Sequence, residues 1–260
     1  MPRDSHQLMD LLYGQPPATT WLWFFDFDGT LVDLAPHPTA IQFLPELAQD
    51  LVRLSTLPGH TVAVVSGRPL ADLTPYLADQ RNLWLAGDHG AEVRGPGTFF
   101  WRHPHHQSIQ RQAQGLAAAL HGQLQSFSGV WVESKATSLS IHYRQAPQSV
   151  AMSLGRLVRN FPWGQNWTVR AAQSCYEVRA LNGPTKADAV RVVRQHVDPS
   201  NTGICVAFGD DLTDEDMFAA LPTGITVKVG PDHATQARYH VDSASVVRNV
   251  IHRMVQCPPR

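Results

Sequence analysis

Two carboxylates stand one residue apart in the segment FFDFDGTL, residues 24–31. The apolar run 21–25 predicts a buried strand, and the i, i+2 spacing places Asp26 and Asp28 on the same side of an extended chain. Because adjacent carboxylates repel each other, such a pair is tolerated when a cation or a shared proton lies between them. The same residues are also typical of a plain strand that ends in an Asp-Gly turn.

A second acidic segment, GDDLTDED, occupies residues 209–216 and follows the apolar run 204–208. Part of it is typical of a helix start, because Thr213 and Asp216 have the spacing of a capping box. That explanation leaves Asp210 and Asp211 directly after the strand, where a carboxylate pair needs a counter-ion. Proteins usually hold Mg²⁺ with carboxylate oxygens and substrate phosphate, so this segment predicts a site for that cation.

Two further positions could hold an anion. Ser66 follows the apolar run 62–65, where its hydroxyl could either cap the next helix or bind an anion together with nearby backbone N–H groups. Lys186 follows NGPT in the predicted first turn of a helix, where a cation is mildly unfavourable unless an anion binds beside it. A solvated surface lysine is the alternative interpretation of Lys186.

All of these positions lie at strand ends or helix starts of an alternating pattern. The sequence predicts strands at 21–25, 61–65, 83–85, 203–208 and 225–229, and helices at 45–54, 70–77, 186–197, 214–221 and 245–255. Alternation of this kind predicts a parallel sheet, and ligands of such sheets bind beyond the carboxyl ends of the strands.

The middle of the chain has a different pattern. Helices are predicted at 108–127 and 148–161, each followed by a pair of strands, at 130–134 and 139–143 and then at 167–171 and 176–179. This α+β order differs from the flanking α/β segments. We therefore expect an inserted α+β domain at 104–182 and a Rossmann-like α/β core formed by 1–103 and 183–260.

Composition argues against several classes of protein. The 260 residues carry a formal net charge of −1 and no Lys/Arg cluster, which disfavours nucleic acid and anionic membranes as partners. No apolar run approaches the roughly 20 residues that span a bilayer, and the polar first fourteen residues lack the apolar centre of a signal peptide. The cysteines, Cys175, Cys205 and Cys257, form no metal or disulfide pattern. We expect a cytoplasmic monomer.

The motifs, taken together and in order, resemble the phosphatases of the haloacid dehalogenase superfamily. The similarity covers DFDGT at 26–30, Ser66, Lys186 and GDDLTD at 209–214. A finer resemblance is to trehalose-6-phosphate phosphatases, carried by SGR at 66–68, HGAE at 89–92, ESK at 133–135, SLSIHYR at 138–144, EVR at 177–179 and GDDLTDED at 209–216. One departure is Ala187 after Lys186, where that family usually has glycine; a helix tolerates the change.

The resemblance implies an inserted domain that acts as a cap, and a role for each core residue. Asp26 would be the nucleophile that forms an aspartyl-phosphate, and Asp28 would protonate the leaving sugar oxygen and then activate water. Ser66 and Lys186 would neutralise charge on the transferring phosphoryl group. The implied cofactor is Mg²⁺, held by Asp26, the backbone carbonyl of Asp28 and Asp210, with Asp211 or Asp214 supporting the ligands.

The resemblance also implies a set of substrate-binding residues. They are Gly67, Arg68, His89, Glu92, Glu133, Lys135, His142, Arg144 and Glu177. A disaccharide needs both acceptors such as Glu and donors such as Lys and Arg. The alternative is that Glu133, Lys135, His142 and Arg144 form only the solvated face of a hairpin whose Val132, Leu139 and Ile141 pack inward.

The implied reaction is Mg²⁺-dependent hydrolysis of trehalose 6-phosphate, with a small sugar phosphate as the partner. A phosphatase of another glycoside phosphate, such as glucosylglycerol or mannosylglycerate phosphate, would share the core chemistry. A phosphomutase would use the same aspartyl-phosphate. A catalytically silent sugar-phosphate binding module is the remaining class, and the intact Asp26 and Asp28 pair counts against it.

Overall fold

The computed structural model describes residues 5–15, 20–35, 40–77, 81–172, 174–231 and 234–258. They form two compact units. The main unit contains the described residues up to Arg102 and those from Thr185 onward, and the inserted unit is His103–Pro184.

The described residues form eight α-helices and twelve strands. The helices are α1 (Ser5–Tyr13), α2 (Pro45–Thr56), α3 (Leu70–Leu77), α4 (His106–Leu124), α5 (Gln148–Asn160), α6 (Lys186–Val197), α7 (Glu215–Ala219) and α8 (Ala244–Gln256). The strands are β1 (Trp21–Phe25), β2 (His60–Val65), β3 (Trp84–Gly87), β4 (Glu92–Arg94), β5 (Phe100–Arg102), β6 (Trp131–Ser134), β7 (Ser138–His142), β8 (Trp167–Ala172), β9 (Cys175–Ala180), β10 (Ile204–Gly209), β11 (Ile225–Val229) and β12 (Tyr239–Val241).

The main unit is built on one eight-stranded sheet in the order β12-β11-β10-β1-β2-β3-β4-β5. The strands from β12 to β3 pair in parallel, and β4 and β5 add an antiparallel edge. β1 lies between β10 and β2, and every residue of its sequence WLWFF is buried. A strand with both faces covered has this continuous apolar sequence, which is why the sequence pattern identifies β1.

Two hydrophobic layers cover the sheet. Trp21, Trp23 and Phe25 of β1 belong to a cluster with the apolar residues of α2 and α8. Leu22 and Phe24 point to the opposite face, in a cluster with those of α6 and α7. Because side chains alternate along a strand, β1 anchors both layers and fixes the position of the residue that follows it.

The inserted unit is an antiparallel sheet in the order β6-β7-β9-β8, with helices on one face. The apolar residues of the sheet, which include Leu139, Ile141 and Val178, form one cluster with those of α4 and α5. The opposite face carries the alternate residues. Across it, Glu133 pairs in register with Ser140, and Ser140 with Glu177.

The predicted helices and strands are present, and the differences are local. α1, the edge strands β4 and β5, and β12 were not predicted. The predicted capping box of Thr213 and Asp216 is wrong. A 3₁₀ turn over Leu212–Asp214 precedes α7, so the box forms between Asp211 and Asp214 instead.

Candidate active site

The carboxyl ends of β1 and β10 bring two acidic residues together. The strands are parallel neighbours with Phe25 opposite Phe208. Asp26 extends this pairing by donating its backbone N–H to the carbonyl of Phe208 at 3.0 Å. Since β10 ends at Gly209, Asp210 follows at the same edge of the sheet. The two motifs, 184 positions apart in residue number, therefore meet in space.

Three carboxylates and one ammonium lie together at this edge, and all but Asp210 are buried. Carboxylate oxygens of Asp26, Asp210 and Asp214 lie within 4.8 Å of one another. Lys186 Nζ donates to Asp26 Oδ1 and to Asp214 Oδ1, the latter at 2.6 Å. Lys186 is 2% exposed, which excludes the surface-lysine interpretation. Three carboxylates against one ammonium leave two negative charges in excess, which suits a divalent cation with oxygen ligands.

The pKa shifts in the network follow from its burial. Burial raises the pKa of Asp26 well above its ordinary value, and the charges of Asp214 and Asp210 add to this effect, while Lys186 opposes it. Burial, followed by the charge of Asp214, raises the pKa of Asp210 to about 6. Burial alone would lower the pKa of Lys186, but its two carboxylate partners outweigh it and the pKa is raised. Lys186 is therefore a permanent cation, and its single charge does not balance three ionised carboxylates.

Asp28 lies in a separate ion pair. Arg68 donates from Nε to Asp28 Oδ2 and from Nη2 to Asp28 Oδ1, both at 2.6 Å. The guanidinium also lies 5.6 Å from the centre of the Phe27 ring. This bidentate pair fixes the orientation of the Asp28 carboxylate. Arg68 was predicted to bind substrate, and the structure shows it bound to Asp28.

The loop after β2 is held against the loop after β3. Ser66 is 1% exposed, and its Oγ accepts the backbone N–H of Arg68 at 3.1 Å. His89 donates its backbone N–H to the carbonyl of Ser66 at 2.9 Å. A Cβ on Gly67 would lie 2.5 Å from the imidazole of His89, so a larger residue would force that ring to move. The SGR motif at 66–68 and the HGAE motif at 89–92 are therefore packed against each other.

Gly29 and Thr30 contact the Asp210 carboxylate. Gly29 has a φ of +83°, and a Cβ there would overlap the Asp210 carboxylate. Thr30 Oγ1 donates to Asp210 Oδ1 at 3.3 Å. Lys228, which is 4% exposed, donates to the backbone carbonyls of Asp210 and of Val229. No role was predicted for Thr30 or Lys228. The GT that follows the two aspartates was the available signal for Thr30, and the sequence carries none for Lys228.

Asp211 and Asp214 differ in their partners. Asp211 accepts the backbone N–H of Leu212 at 2.6 Å, and the acidic cluster does not include it. Asp214 binds Lys186 and accepts the backbone N–H of Asp211 at 3.0 Å. Of the two candidates for the supporting carboxylate, the structure places Asp214 in the network. Asp211 caps the turn instead.

The remaining predicted residue of the main unit, Glu92, lies on β4. It pairs with Arg102 on the neighbouring strand, with Nε at 2.8 Å and Nη2 at 2.6 Å from Oε1. The two residues are directly opposite in the β4–β5 register.

The sheet face of the inserted unit carries two pairs of polar side chains. His142 Nε2 lies 2.9 Å from Glu133 Oε2, and the exposed Trp131 stacks on the His142 ring at 4.0 Å between centroids. Arg179 Nε lies 3.4 Å from Glu177 Oε2. This face therefore carries both acceptors and donors, together with the indole ring of Trp131.

Lys135 and Arg144 lie at the ends of the first hairpin of the inserted unit. Lys135 follows β6 and donates its backbone N–H to the carbonyl of Ser138 at 3.0 Å, and Arg144 is exposed after β7. The apolar hairpin residues pack inward, as the alternative interpretation of this hairpin expects: Leu139 and Ile141 belong to the hydrophobic cluster of the unit, and the partly buried Val132 packs against it.

Comparison with known proteins identifies the family. The trehalose-phosphatase family model matches residues 24–245. A protein of Sinorhizobium fredii (strain NBRC 101917 / NGR234), named "Probable trehalose-phosphate phosphatase", is 33% identical over 236 residues, or 89% of this chain and 86% of that protein. The trehalose-6-phosphate phosphatase of Escherichia coli K12 is 32% identical, covering 86% of this chain and 82% of its own length. The trehalose-phosphate phosphatase of Mycobacterium bovis BCG is 32% identical over 96% of this chain, which spans 64% of that longer protein.

Solved structures share the fold. The C-terminal domain of Candida albicans trehalose-6-phosphate phosphatase superposes with a TM-score of 0.80 at 22% identity, covering 98% of both chains. The Aspergillus fumigatus trehalose-6-phosphate phosphatase, in crystal form 3, has a TM-score of 0.66 at 25% identity over 98% of this chain and 99% of that one. A haloacid dehalogenase-like hydrolase of Bacteroides thetaiotaomicron shares the fold at a TM-score of 0.63 and 14% identity, covering 90% of this chain and 99% of that one. The chain therefore belongs to the trehalose-phosphatase family, whose members are phosphoric monoester hydrolases and which is part of the haloacid dehalogenase superfamily.

Proposed function

We propose that this protein hydrolyses trehalose 6-phosphate to trehalose and phosphate. The observation that carries the proposal is the buried network of Asp26, Lys186 and Asp214 beside Asp210. It lies at the carboxyl edge of a parallel sheet, in a chain that the trehalose-phosphatase family model matches over residues 24–245. Buried charge with perturbed pKa values is typical of functional sites, and this composition suits phosphoryl transfer.

Asp26 is the proposed nucleophile. A carboxylate attacks phosphorus only when it is ionised, and burial raises the pKa of Asp26. Lys186 opposes that shift and fixes the position of Oδ1 through its hydrogen bond. Attack by Asp26 would form a bond to phosphorus while the bond to the sugar oxygen breaks, which gives an aspartyl-phosphate that water then hydrolyses.

Asp28 is the proposed acid and base. It would give a proton to the leaving sugar oxygen and take one from the attacking water in the second step. The bidentate contact with Arg68 fixes the orientation of Asp28 and occupies both of its oxygens, so one oxygen would have to be released from Arg68 to carry the proton. Arg68 is thus proposed to position Asp28 as well as to attract the phosphate.

The donor set fits Mg²⁺. Asp26, Asp210 and the backbone carbonyl of Asp28 would hold the ion, and Asp214 would orient Lys186. When bound, the ion supplies positive charge to the transferring phosphoryl group. Thr30 donates to the Asp210 carboxylate and Gly29 leaves room for it, so neighbouring residues of the chain hold this carboxylate in place.

The inserted unit is proposed to be the cap that recognises the sugar. Glu133 and Glu177 offer acceptors for hydroxyl groups, and His142 and Arg179 offer donors on the same sheet face. Trp131 adds an exposed aromatic surface. Hydrolysis of a different glycoside phosphate would use the same main-unit residues and differ only in these contacts.

A phosphate-release panel tests the substrate. Trehalose 6-phosphate, glucosylglycerol phosphate, mannosylglycerate phosphate and glucose 6-phosphate would be compared at equal Mg²⁺ concentration, with product analysis by chromatography. We expect kcat/KM for trehalose 6-phosphate to exceed the others by at least about a hundredfold, or ~2.7 kcal/mol of transition-state discrimination. Preference for another glycoside phosphate would reassign the substrate, and an isomerised sugar phosphate would indicate a mutase.

A quench experiment tests the intermediate. Substrate labelled with ³²P at the phosphate is mixed with enzyme and quenched in acid within the first turnover. We expect label on the wild-type protein that is released by hydroxylamine, and none on Asp26→Asn. Absence of labelled wild-type protein during rapid turnover would contradict the aspartyl-phosphate.

A further inference from the structure

A second polar cavity lies at the amino edge of the main-unit sheet. Its volume is about 240 Å³, and the first residues of β10 and β11, Ile204 and Ile225, form part of its wall. β10 runs from this cavity to Gly209 beside the acidic network, a length of roughly 17–20 Å for six residues. The cavity is therefore separate from the site described above.

Two arginines with no carboxylate partner line this cavity. In the part of the chain that the structure describes, neither Arg194 nor Arg238 forms an ion pair within 4.0 Å. Arg194 Nη2 donates to Asn201 Oδ1, and Arg238 Nη1 donates to the carbonyl of Gly224 at 3.3 Å. Both guanidinium groups are thus held by neutral acceptors, and no carboxylate of the described residues lies within ion-pair distance of them.

The Arg194 guanidinium also has an unused buried donor. Its Nε is buried with no hydrogen-bond partner among the described residues. The neighbouring carboxylate, Asp198, does not serve it, because Asp198 accepts the backbone N–H groups of Thr202 at 3.2 Å and Gly203 at 2.8 Å. Buried donors in folded proteins are nearly always paired, so the Arg194 guanidinium is incompletely paired within the described residues.

We propose that this cavity binds a small oxyanion of the phosphate class, either inorganic phosphate or a short phosphate ester. Two guanidinium groups match the charge of a phosphate dianion and offer the planar donor pairs that phosphate oxygens accept. Gln15, Asn201 and Thr223 add neutral polar groups to the wall. A volume of about 240 Å³ is enough for phosphate or a short phosphate ester.

Calorimetric titration with inorganic phosphate tests the proposal. The wild type should show two classes of binding, one of which matches the inhibition constant of phosphate against sugar-phosphate hydrolysis. Arg194→Gln and Arg238→Gln should each weaken the other class at least about tenfold, or ~1.4 kcal/mol, while kcat/KM and the inhibition constant stay at wild-type values. Arg191→Gln is the matched control, because Arg191 lies on the same helix, is exposed and pairs with Asp188 at 2.5 Å.

The outcomes separate the possibilities. A single binding class in the wild type, or a second class that neither substitution weakens, overturns the proposal. Binding of succinate without binding of phosphate overturns the phosphate assignment. Glycerol 3-phosphate that binds more tightly than phosphate identifies an ester as the ligand, and weaker binding identifies the free ion. If circular dichroism shows that Arg194→Gln is misfolded, the test uses Arg238→Gln, because Arg238 is exposed.

Discussion

Replacement of Lys186 by methionine should show that its ammonium group balances negative charge in the acidic network. The substitution keeps the length of the side chain and removes the ammonium that donates to Asp26 and Asp214. The three side chains are 3%, 6% and 0% exposed, so water cannot replace the lost partner. Removal of one member of a buried ion pair costs about 3–5 kcal/mol, a large part of a total stability of about 5–15 kcal/mol.

The cost should depend on pH in a defined direction. Lys186 opposes the rise in the pKa of Asp26, so its loss raises that pKa further. The folded variant then keeps a proton on the network at a pH where the unfolded chain has released it. Its free energy of unfolding therefore falls as pH rises, and the deficit relative to wild type should be larger at pH 8 than at pH 5.5.

Urea unfolding in excess chelator, followed by circular dichroism at both pH values, measures these differences. Turnover of trehalose 6-phosphate should fall by about a hundredfold to a thousandfold in Mg²⁺, as it does when one stabilising donor is removed from other active sites. Lys228→Met is the matched control, because it removes an equally buried ammonium whose partners are neutral carbonyls. We expect it to cost only about 1–3 kcal/mol.

The reasoning would be refuted if Lys186→Met unfolded within about 1 kcal/mol of wild type at pH 8 and kept more than about a tenth of its turnover. If the variant does not fold, Lys186→Arg takes its place. It keeps the positive charge and should restore more of the stability than of the turnover.

Asp26→Asn should keep the fold and lose several orders of magnitude in kcat; retention of more than about a tenth would remove Asp26 as the nucleophile. Turnover should stop in chelator and return with Mg²⁺, and undiminished turnover after the metal is shown to be gone would contradict the metal site. Glu133→Ala should lower kcat/KM for trehalose 6-phosphate about tenfold to a thousandfold while hydrolysis of an aryl phosphate changes far less; equal losses would leave Glu133 as only a surface residue. Burial lowers the pKa of His60 to about 4, so the unfolded chain takes up a proton near pH 6.5 that the folded one does not, and stability should fall between pH 6.5 and 4. His60→Asn keeps an acceptor for Trp23 Nε1 and should reduce this fall by roughly 1–2 kcal/mol after allowance for solvent screening; an unchanged profile in urea titrations would exclude His60 as its source.

The main-unit motifs could be predicted because each one joins a local pattern to a fixed place in the fold. The continuous apolar sequence of β1 identifies a strand buried on both faces, and the end of such a strand lies at the ligand edge of the sheet. The same pattern in β10 places Asp210 at that edge, and the family resemblance then assigns Asp26 and Asp210 to one site. The position of Lys186 at the start of α6 followed from the residues before it.

Pairings between side chains could not be predicted in the same way. The contact of Arg68 with Asp28 joins residues 40 positions apart. The orientation of the two side chains depends on the shape of two loops, and hydrophobic periodicity does not predict loop shape. The choice between Asp211 and Asp214 depended on a 3₁₀ turn that helix propensity does not distinguish from an early helix start. β4 and β5 have three residues each, too few for a recognisable alternation. The cytoplasmic location, the monomeric state and the domain boundaries stay predictions.

The position of β1 between β2 and β10 has a consequence for biosynthesis. Asp26 and Lys186 are 160 residues apart, and β10 follows the whole inserted unit in the chain. Until the ribosome has released β10, one edge of the apolar strand WLWFF has no hydrogen-bonding partner. Unpaired apolar edges recruit other chains, and long-range parallel pairing is slow. The nascent chain should therefore depend on chaperones at this stage, and a ribosome stalled before residue 204 should yield aggregates rather than a partly active enzyme.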